Sequence, residues 1–203
     1  MIITSLEKYK GSTYEVTVDK QKIYLHKDIV LDFGIKVSKE ISEEKLEEIL
    51  EASEKRRAFE RAMYLLDYRD YSYRELFGKL SESYEEDICF YVLNKLAGLG
   101  FIDDRRYARN LARKYVEVKK YGFYRASNEM RRKGLSRDIV DEALSEYDEK
   151  IHDILTELIM KKYYDSLEDR DKLRKMKNAL VRQGYSFDEI NTVIRELEVC
   201  DDE

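Results

Sequence analysis

The sequence contains no proline, and no apolar stretch approaches the roughly 20 residues that a membrane-spanning helix needs. Because proline interrupts helices, its absence favours long, continuous helices. The opening segment, MIITSLEKYK, has neither an apolar core nor a small-residue cleavage site, so no secretory signal peptide is predicted. We therefore expect a mainly helical, soluble and cytoplasmic protein that does not associate with membranes.

Cysteine and histidine are scarce, with two of each in the chain. Cys89 and Cys200 are far apart and form no CxxC motif, which predicts reduced thiols and no disulfide. His26 and His152 stand at unrelated positions, and a metal site would need carboxylates that the sequence does not locate. Neither histidine accompanies Ser136 in a GxSxG-type elbow. The sequence thus predicts no catalytic residue, no metal site and no cofactor.

Residues 1–40 differ in pattern from the rest of the chain. The segment TYEVTVDKQKIYLHKDIV alternates β-branched or aromatic residues with polar ones, and KYKGS and DKQK have the composition of turns. This pattern predicts two or three short antiparallel strands. HKDIVLDFGI is typical of a short helix that ends near Gly34. So small a sheet must pack on the helical body or on a partner.

From Ser42 onward the apolar residues recur at helical spacing, as one long helix or two up to residue 69. MRRKGLSRDIVDEAL (130–144) aligns with LVRQGYSFDEINTVI (180–194) at a constant offset of fifty, and residues 75–93 give a third copy. This predicts tandem three-helix repeats. The predicted helices are 55–69, 72–81 and 84–98; 103–121, 123–133 and 136–147; and 150–164, 170–183 and 186–199.

The predicted domains follow these repeats. Residues 1–40 form a β-rich element with a short helix, and 41–99 hold a linker helix and the first repeat. The second repeat covers 100–148. The third covers 149–203 and ends in an acidic tail.

The turn around Ser136 accounts for its residues without invoking catalysis. Gly134 suits a left-handed helix end, Ser136 is placed to cap the next helix, and Leu135 and Val140 have the spacing of a hydrophobic staple. The same design recurs at Gly184, Ser186 and Glu189, and Ser72 with Glu75 forms another capping box.

Charge is unevenly distributed along the chain. Between Asp103 and Arg137 there are twelve basic residues and four acidic ones, a local charge of +8, so the remainder carries −13. Asp103 and Asp104 are expected to cap the helix that follows them. On that helix one arc is apolar, and the opposite arc is basic with almost no acidic residue for i,i+4 pairing. The apolar arc contains Tyr107, Ala108, Leu111, Tyr115 and Val118.

We interpret the basic arc and its neighbours as a surface for phosphate groups or for an acidic protein. The aromatic residues Tyr121, Phe123 and Tyr124 lie among these cations, where they either stack on unpaired bases or pack between helices. The candidate partner-binding residues are Arg69, Arg74, Arg105, Arg106, Arg109, Arg113, Lys119, Lys120, Arg125, Arg131, Arg132, Lys133 and Arg137.

Three segments resemble the RecX family of regulatory proteins. AMYLLDYRDYSYRELFGKL (62–80) is similar to its pattern of a helix end, Arg and Ser-x-x-Glu-Leu-x-x-Lys-Leu. LAGLGFIDDRRYA (96–108) is similar to its Gly-aromatic-aliphatic-Asp-Asp segment, and GFYRASNEMRRKGLSRDIVDEAL (122–144) to its Gly-x-x-Arg-x-x-x-Glu-Leu-x-x-Lys-Gly segment. The order and spacing of these motifs carry the resemblance.

The resemblance implies a mainly α fold of tandem three-helix-bundle repeats in an elongated curved array, with the small antiparallel β element at the N-terminus. It also implies a non-enzymatic modulator that binds the RecA recombinase filament, with single- or double-stranded DNA within or beside it. Such a protein inhibits filament extension, ATPase and strand exchange, and so modulates recombinational repair and the SOS response. We expect a monomer. The alternative is a stand-alone helical-repeat nucleic-acid-binding module independent of RecA, which would bind DNA with a steep salt dependence.

Overall fold

The computed structural model describes residues 1–167 and 169–200, without the side chains of residues 199 and 200. The prediction of an acidic tail and the prediction of a reduced Cys200 thiol lie outside what is described. The chain divides into two compact units. Unit 1 comprises Met1–Arg69 and Leu76–Leu99, and unit 2 comprises Asp70–Glu75 and the chain from Gly100 onward.

Unit 1 begins with the predicted antiparallel sheet, in the order β1 (Ile3–Lys10), β2 (Thr13–Val18) and β3 (Gln21–His26). Alternation places Val16 and Val18 on the buried face. Helix α1 (Lys27–Asp32) follows directly and ends before Gly34, whose φ of +55° is left-handed. The expectations for this element are confirmed, and its apolar face packs against α1 and the start of the next helix.

The long helical segment is one helix, α2 (Glu43–Tyr68), capped by the Ser42 hydroxyl, which accepts from the Lys45 N–H at 3.1 Å. It packs against α4 (Glu86–Gly98), and α3 (Tyr73–Leu80) lies between them in sequence. Cys89 on α4 is a buried free thiol, and burial raises its pKa. Among the described residues, none of the helices has the length and apolar character needed to cross a bilayer.

Unit 2 contains six α-helices in its described residues, packed around one core. Its centre is formed by side chains such as Met130, Leu155 and Leu180. Each repeat helix predicted from the sequence is present. The bounds are α5 (Asp104–Arg113), α6 (Phe123–Arg132), α7 (Arg137–Ser145), α8 (Ile151–Lys162), α9 (Arg170–Gln183) and α10 (Phe187–Cys200), with a 3-10 turn at Tyr164–Ser166.

The helix predicted over 103–121 has a different form. After Arg113 the backbone passes into a π-helical turn, Lys114–Val118. Because a π turn holds more than 3.6 residues, it rotates the following side chains relative to an α-helix. Val116 is therefore buried, and Val118 is 74 % exposed. The prediction that Val118 packs in the apolar arc was wrong.

The turns between helices follow the predicted design with one exception. Gly134 and Gly184 have φ values of +81° and +101°. The Ser186 capping box is formed, since the Glu189 N–H donates to the Ser186 hydroxyl and the Ser186 N–H donates to the Glu189 carboxylate. Ser136 stands at the N-cap position of α7, but its side chain makes no capping hydrogen bond. The third helical residue there is Ile139, which has no carboxylate to accept from the Ser136 N–H as the Glu189 carboxylate accepts from the Ser186 N–H.

The box predicted for Ser72 and Glu75 is also formed. The Glu75 N–H donates to the Ser72 hydroxyl at 3.0 Å, and the Ser72 N–H donates to the Glu75 carboxylate at 3.4 Å. Ser72 is buried, and its hydroxyl also donates to the carbonyl of Lys133. The capping residue therefore holds the turn that ends α6 as well.

Candidate functional site

Helix α5 presents the two faces that its sequence predicts. Tyr107, Ala108 and Leu111 are buried, whereas Arg105, Arg106, Arg109 and Arg113 are exposed. The helix begins at Asp103, whose carboxylate accepts from the Arg106 N–H at 2.9 Å. Asp104 instead accepts from the Tyr73 N–H at 2.8 Å, and burial raises the pKa of its carboxyl group. Only Asp103 is the side-chain cap of α5.

The basic face of α5 is partly neutralised by helix α7. Arg105 forms an ion pair with Glu142, and Arg109 lies with it in a small cleft that Glu142 and Glu146 also line. Because these carboxylates belong to α7, the i,i+4 spacing along α5 does not indicate them. In residues 1–167 and 169–200, no carboxylate lies within ion-pair distance of Arg109 or Arg113.

An aromatic and cationic cluster is formed by the π-helical turn and the residues that follow it. The rings of Tyr115 and Tyr121 are stacked, with centroids 5.9 Å apart and planes at 15°. The Lys119 ammonium lies 5.3 Å from the Tyr115 centroid, and the Arg125 guanidinium carbon lies 4.1 Å from that of Tyr121. Cation–π attraction therefore orients these cations over rings that already have neighbours.

Of the three aromatic residues proposed to stack on bases, two are packed internally. Tyr121 and Phe123 pack against the core of unit 2. Tyr124 is 76 % exposed, so its ring is available to a partner. The packing alternative therefore applies to Tyr121 and Phe123, and stacking on a base stays a prediction for Tyr124.

Lys120 and Lys133 occupy turns and have partners within the chain. The Lys120 ammonium lies 2.9 Å from Glu157 on α8, and its carbonyl accepts from the Gln183 amide at 2.7 Å. Lys133 pairs with Glu75 at 3.2 Å, and its carbonyl accepts from Ser72. Their charges therefore stabilise the turns in which they lie.

A groove of about 720 Å³ separates α6 from α7. Tyr124 and Arg131 line the α6 side, and Arg137 with Asp141 lines the α7 side. Arg137 pairs with Asp141 at 3.3 Å, whereas the described residues offer Arg131 no carboxylate within ion-pair distance. Asp148 also lines the groove. The groove therefore combines the exposed Tyr124 ring with charges of both signs, of which the Arg131 guanidinium group is the one cation without an ion pair among the described residues.

Three candidate residues remain, two of them in unit 2 and one in unit 1. Arg132 pairs with Glu129 on its own helix at 3.3 Å. Arg74 is exposed in the first turn of α3, within the segment of unit 2 that precedes Leu76. Arg69 belongs to unit 1, where it ends α2.

The two histidines are placed in unrelated environments. His26 caps α1 by accepting from the Asp28 N–H, and His152 lies 2.8 Å from Glu196. Among the described residues, no three acidic, cysteine or histidine side chains converge as metal ligands would. The predicted partner-binding surface of unit 2 thus comprises the basic face of α5 and the α6–α7 groove, and carboxylates line parts of both.

Three family models match successive segments of this chain. Family models described as the RecX first, second and third three-helix domains match residues 58–96, 103–144 and 148–194. The regulatory protein RecX of Clostridioides difficile is 29% identical, with 97% of this chain and 95% of the relative covered. That of Prosthecochloris aestuarii is 32% identical over 71% of this chain and 96% of its own length.

Two solved structures have a similar fold. The crystal structure of RecX from Lactobacillus salivarius superposes with a TM-score of 0.68 at 28% identity, over 73% of this chain and 99% of that one. Another regulatory protein RecX gives a TM-score of 0.74 at 21% identity, over 95% and 98% of the two chains, and shares the fold.

Proposed function

This chain belongs to the RecX family of regulatory proteins, and from that premise we propose that it is a non-enzymatic regulator that binds the RecA recombinase filament. Binding limits filament extension, ATP hydrolysis and strand exchange by RecA. The protein thereby modulates recombinational repair and the SOS response in the cytoplasm, as a monomer that lies along the filament groove.

The observation that carries this proposal is the set of exposed guanidinium groups on unit 2. Within the described residues, Arg109, Arg113 and Arg131 have no carboxylate within ion-pair distance. Uncompensated guanidinium groups attract carboxylates and phosphates and bind both with bidentate geometry. A filament of acidic protein surface and DNA repeats such groups along its length. Several weak contacts to it can give a useful affinity without a deep pocket.

The first experiment measures RecA ATPase activity on single-stranded DNA with and without this protein. We expect inhibition near stoichiometric ratios. Arg109→Glu combined with Arg113→Glu reverses the two α5 charges that form no ion pair within the described residues, and should weaken inhibition. The matched control is Lys8→Glu with Lys10→Glu, which changes net charge equally on exposed positions of β1. No inhibition by the wild-type protein would refute the proposal, and full inhibition by the α5 variant would refute this surface assignment.

A DNA-binding function independent of RecA makes a different prediction. The isolated protein would bind DNA oligonucleotides tightly, and its affinity would fall steeply with salt. The net charge of −5 opposes such binding by the whole chain. Fluorescence anisotropy at two salt concentrations, without RecA, separates the two functions.

A further inference from the structure

One face of α2 in unit 1 carries exposed arginine and tyrosine side chains. Arg57, Arg61, Tyr64 and Tyr68 define this α2 stripe, and at 3.6 residues per turn they fall within an arc of about 60°. Tyr64 is 68 % exposed and Tyr68 is 86 % exposed. The stripe therefore presents two phenol rings and two cations to solvent along one side of a single helix.

Packing within unit 1 does not account for the stripe. The buried face of α2 is formed by Ile49, Ala58, Ala62 and other side chains. The guanidinium carbon of Arg61 lies 5.6 Å from the Tyr64 centroid, so the ring and the cation are held together at the surface. Tyrosine and arginine are the residue types that, with tryptophan, dominate binding energy in protein interfaces. Tyrosine provides a large contact area and loses little side-chain entropy.

The charges beside the stripe indicate what kind of partner it fits. Glu60 and Asp67 follow one side of it and Glu54 the other, and Arg57 already pairs with Glu54 at 3.3 Å. Glu60 is paired with Arg56 at 3.0 Å, whereas no cation among the described residues lies within ion-pair distance of Asp67. A nucleic-acid strand laid along the stripe would meet the Asp67 charge, which repels phosphates, and an Arg57 cation already engaged by Glu54. A protein surface can place separate acidic groups against the arginines and apolar pockets against the rings. The flanking charges therefore favour a protein.

We propose that the α2 stripe is a second docking surface, which binds a protein surface that offers apolar pockets to the two rings and separate acidic groups to the two arginines. The partner surface belongs to the RecA filament, an assignment that rests on the proposed function. Contacts from both units of one chain then act together, since the second contact forms at the high effective concentration set by the first. The stripe lies outside the candidate residues that the sequence indicated.

Two variants test the stripe in the RecA ATPase assay with the full chain. Tyr64→Ala with Tyr68→Ala removes the rings, and Arg57→Glu with Arg61→Glu reverses the cations. Each should raise the concentration for half-maximal inhibition about tenfold or more, the usual effect of losing an interface anchor. Tyr64→Phe with Tyr68→Phe keeps the rings and should retain most of the inhibition. Lys8→Glu with Lys10→Glu is again the charge-matched control, and circular dichroism checks folding.

The outcomes separate this inference from the proposed function. If the wild-type protein inhibits RecA and both stripe variants inhibit equally well, the inference is wrong and the proposed function stands. If the wild-type protein has no effect on RecA, the proposed function fails and this partner assignment fails with it.

Two further measurements test whether the stripe instead binds nucleic acid or a second copy of this chain. Loss of binding to a labelled unpaired oligonucleotide by the tyrosine variant, without RecA, would overturn the assignment to a protein. Sedimentation that shows a dimer of the wild-type chain and a monomer of the tyrosine variant would reassign the stripe to a second copy.

Discussion

Gly122 and Gly184 are in direct backbone contact, so close that a Cβ atom added to Gly122 would lie 2.3 Å from the carbonyl carbon of Gly184. The Gly122 N–H donates to the carbonyl of Gln183 at 3.0 Å, and the Tyr124 N–H donates to that of Gly184 at 3.2 Å. The turn that ends α9 therefore packs directly against the start of α6.

A comparable contact joins the preceding pair of repeats. A Cβ atom added to Gly134 would lie 2.8 Å from the Cβ of Arg74, in the first turn of α3. Each recurring glycine thus ends a helix and also lets the backbone approach the second helix of the previous repeat. The close approach is a second reason for glycine, besides the left-handed conformation that the sequence predicts.

Gly184→Ala should destabilise unit 2. The new methyl group would lie 2.5 Å from the backbone nitrogen of Arg125, and residue 184 has a φ of +101°. We expect a loss of about 2 kcal/mol or more in the free energy of unfolding, measured in urea. Gly78→Ala is the control, because no atom lies within 4 Å of its added Cβ and it is inside α3. Alanine there should stabilise the helix by about 0.5–1 kcal/mol, and equal effects at both positions would refute the packing argument.

Ser72→Ala and Ser136→Ala should differ, although both serines precede a helix. The Ser72 hydroxyl is buried, accepts from the Glu75 N–H and donates to Lys133. Its removal should cost about 1–2 kcal/mol of unfolding free energy. Ser136 makes no capping hydrogen bond, so its substitution should change stability by less than about 0.5 kcal/mol. Equal losses for the two variants would contradict this assignment.

Local sequence signals predicted much of the fold. Alternation predicted the three strands, three- and four-residue spacing predicted the helices, and the offset between Gly134 and Gly184 predicted the repeats. These signals succeed because strand pleat, helix period and left-handed turns depend on residues close in sequence.

The candidate site was harder to predict because its charges are balanced across helices. Glu142 and Glu157 are distant in sequence from Arg105 and Lys120, so the spacing on one helix could not indicate their pairing. The π-helical turn has no proline or glycine to signal it, and a uniform helical period therefore misplaced Val118. The sequence does not single out the α2 stripe, because tyrosines at helical spacing such as Tyr64 and Tyr68 are equally typical of a helix core.

Substitutions at Val116 and Val118 test the register of the π-helical turn. Val116 is fully buried, so Val116→Ala should cost about 1–3 kcal/mol of unfolding free energy through lost packing. Val118 is exposed, so Val118→Ala should be nearly neutral, within about 0.5 kcal/mol. An α-helical continuation would give the opposite order. Urea denaturation of the two variants decides between the registers.

Glu157 links the turn at Lys120 to helix α8 in a pH-dependent way. Hydrogen bonds from Lys161 and Lys120, together with their charges, lower the pKa of the Glu157 carboxyl group from 4.5 to about 2. A carboxyl group whose pKa is lower in the folded state stabilises the fold above its unfolded pKa. That contribution is lost as the pH falls from about 4.5 towards 2.

Glu157→Gln should therefore reduce stability at neutral pH and have progressively less effect as the solution is acidified. Unfolding of the wild type and the variant is compared from about pH 7 to pH 2, and the two stabilities should converge below about pH 4.5. Added salt should narrow the neutral-pH difference, because the pair is partly exposed and screened. Stabilities that differ by a constant amount across this range would mean that the Glu157 carboxyl group titrates alike in the folded and unfolded chain.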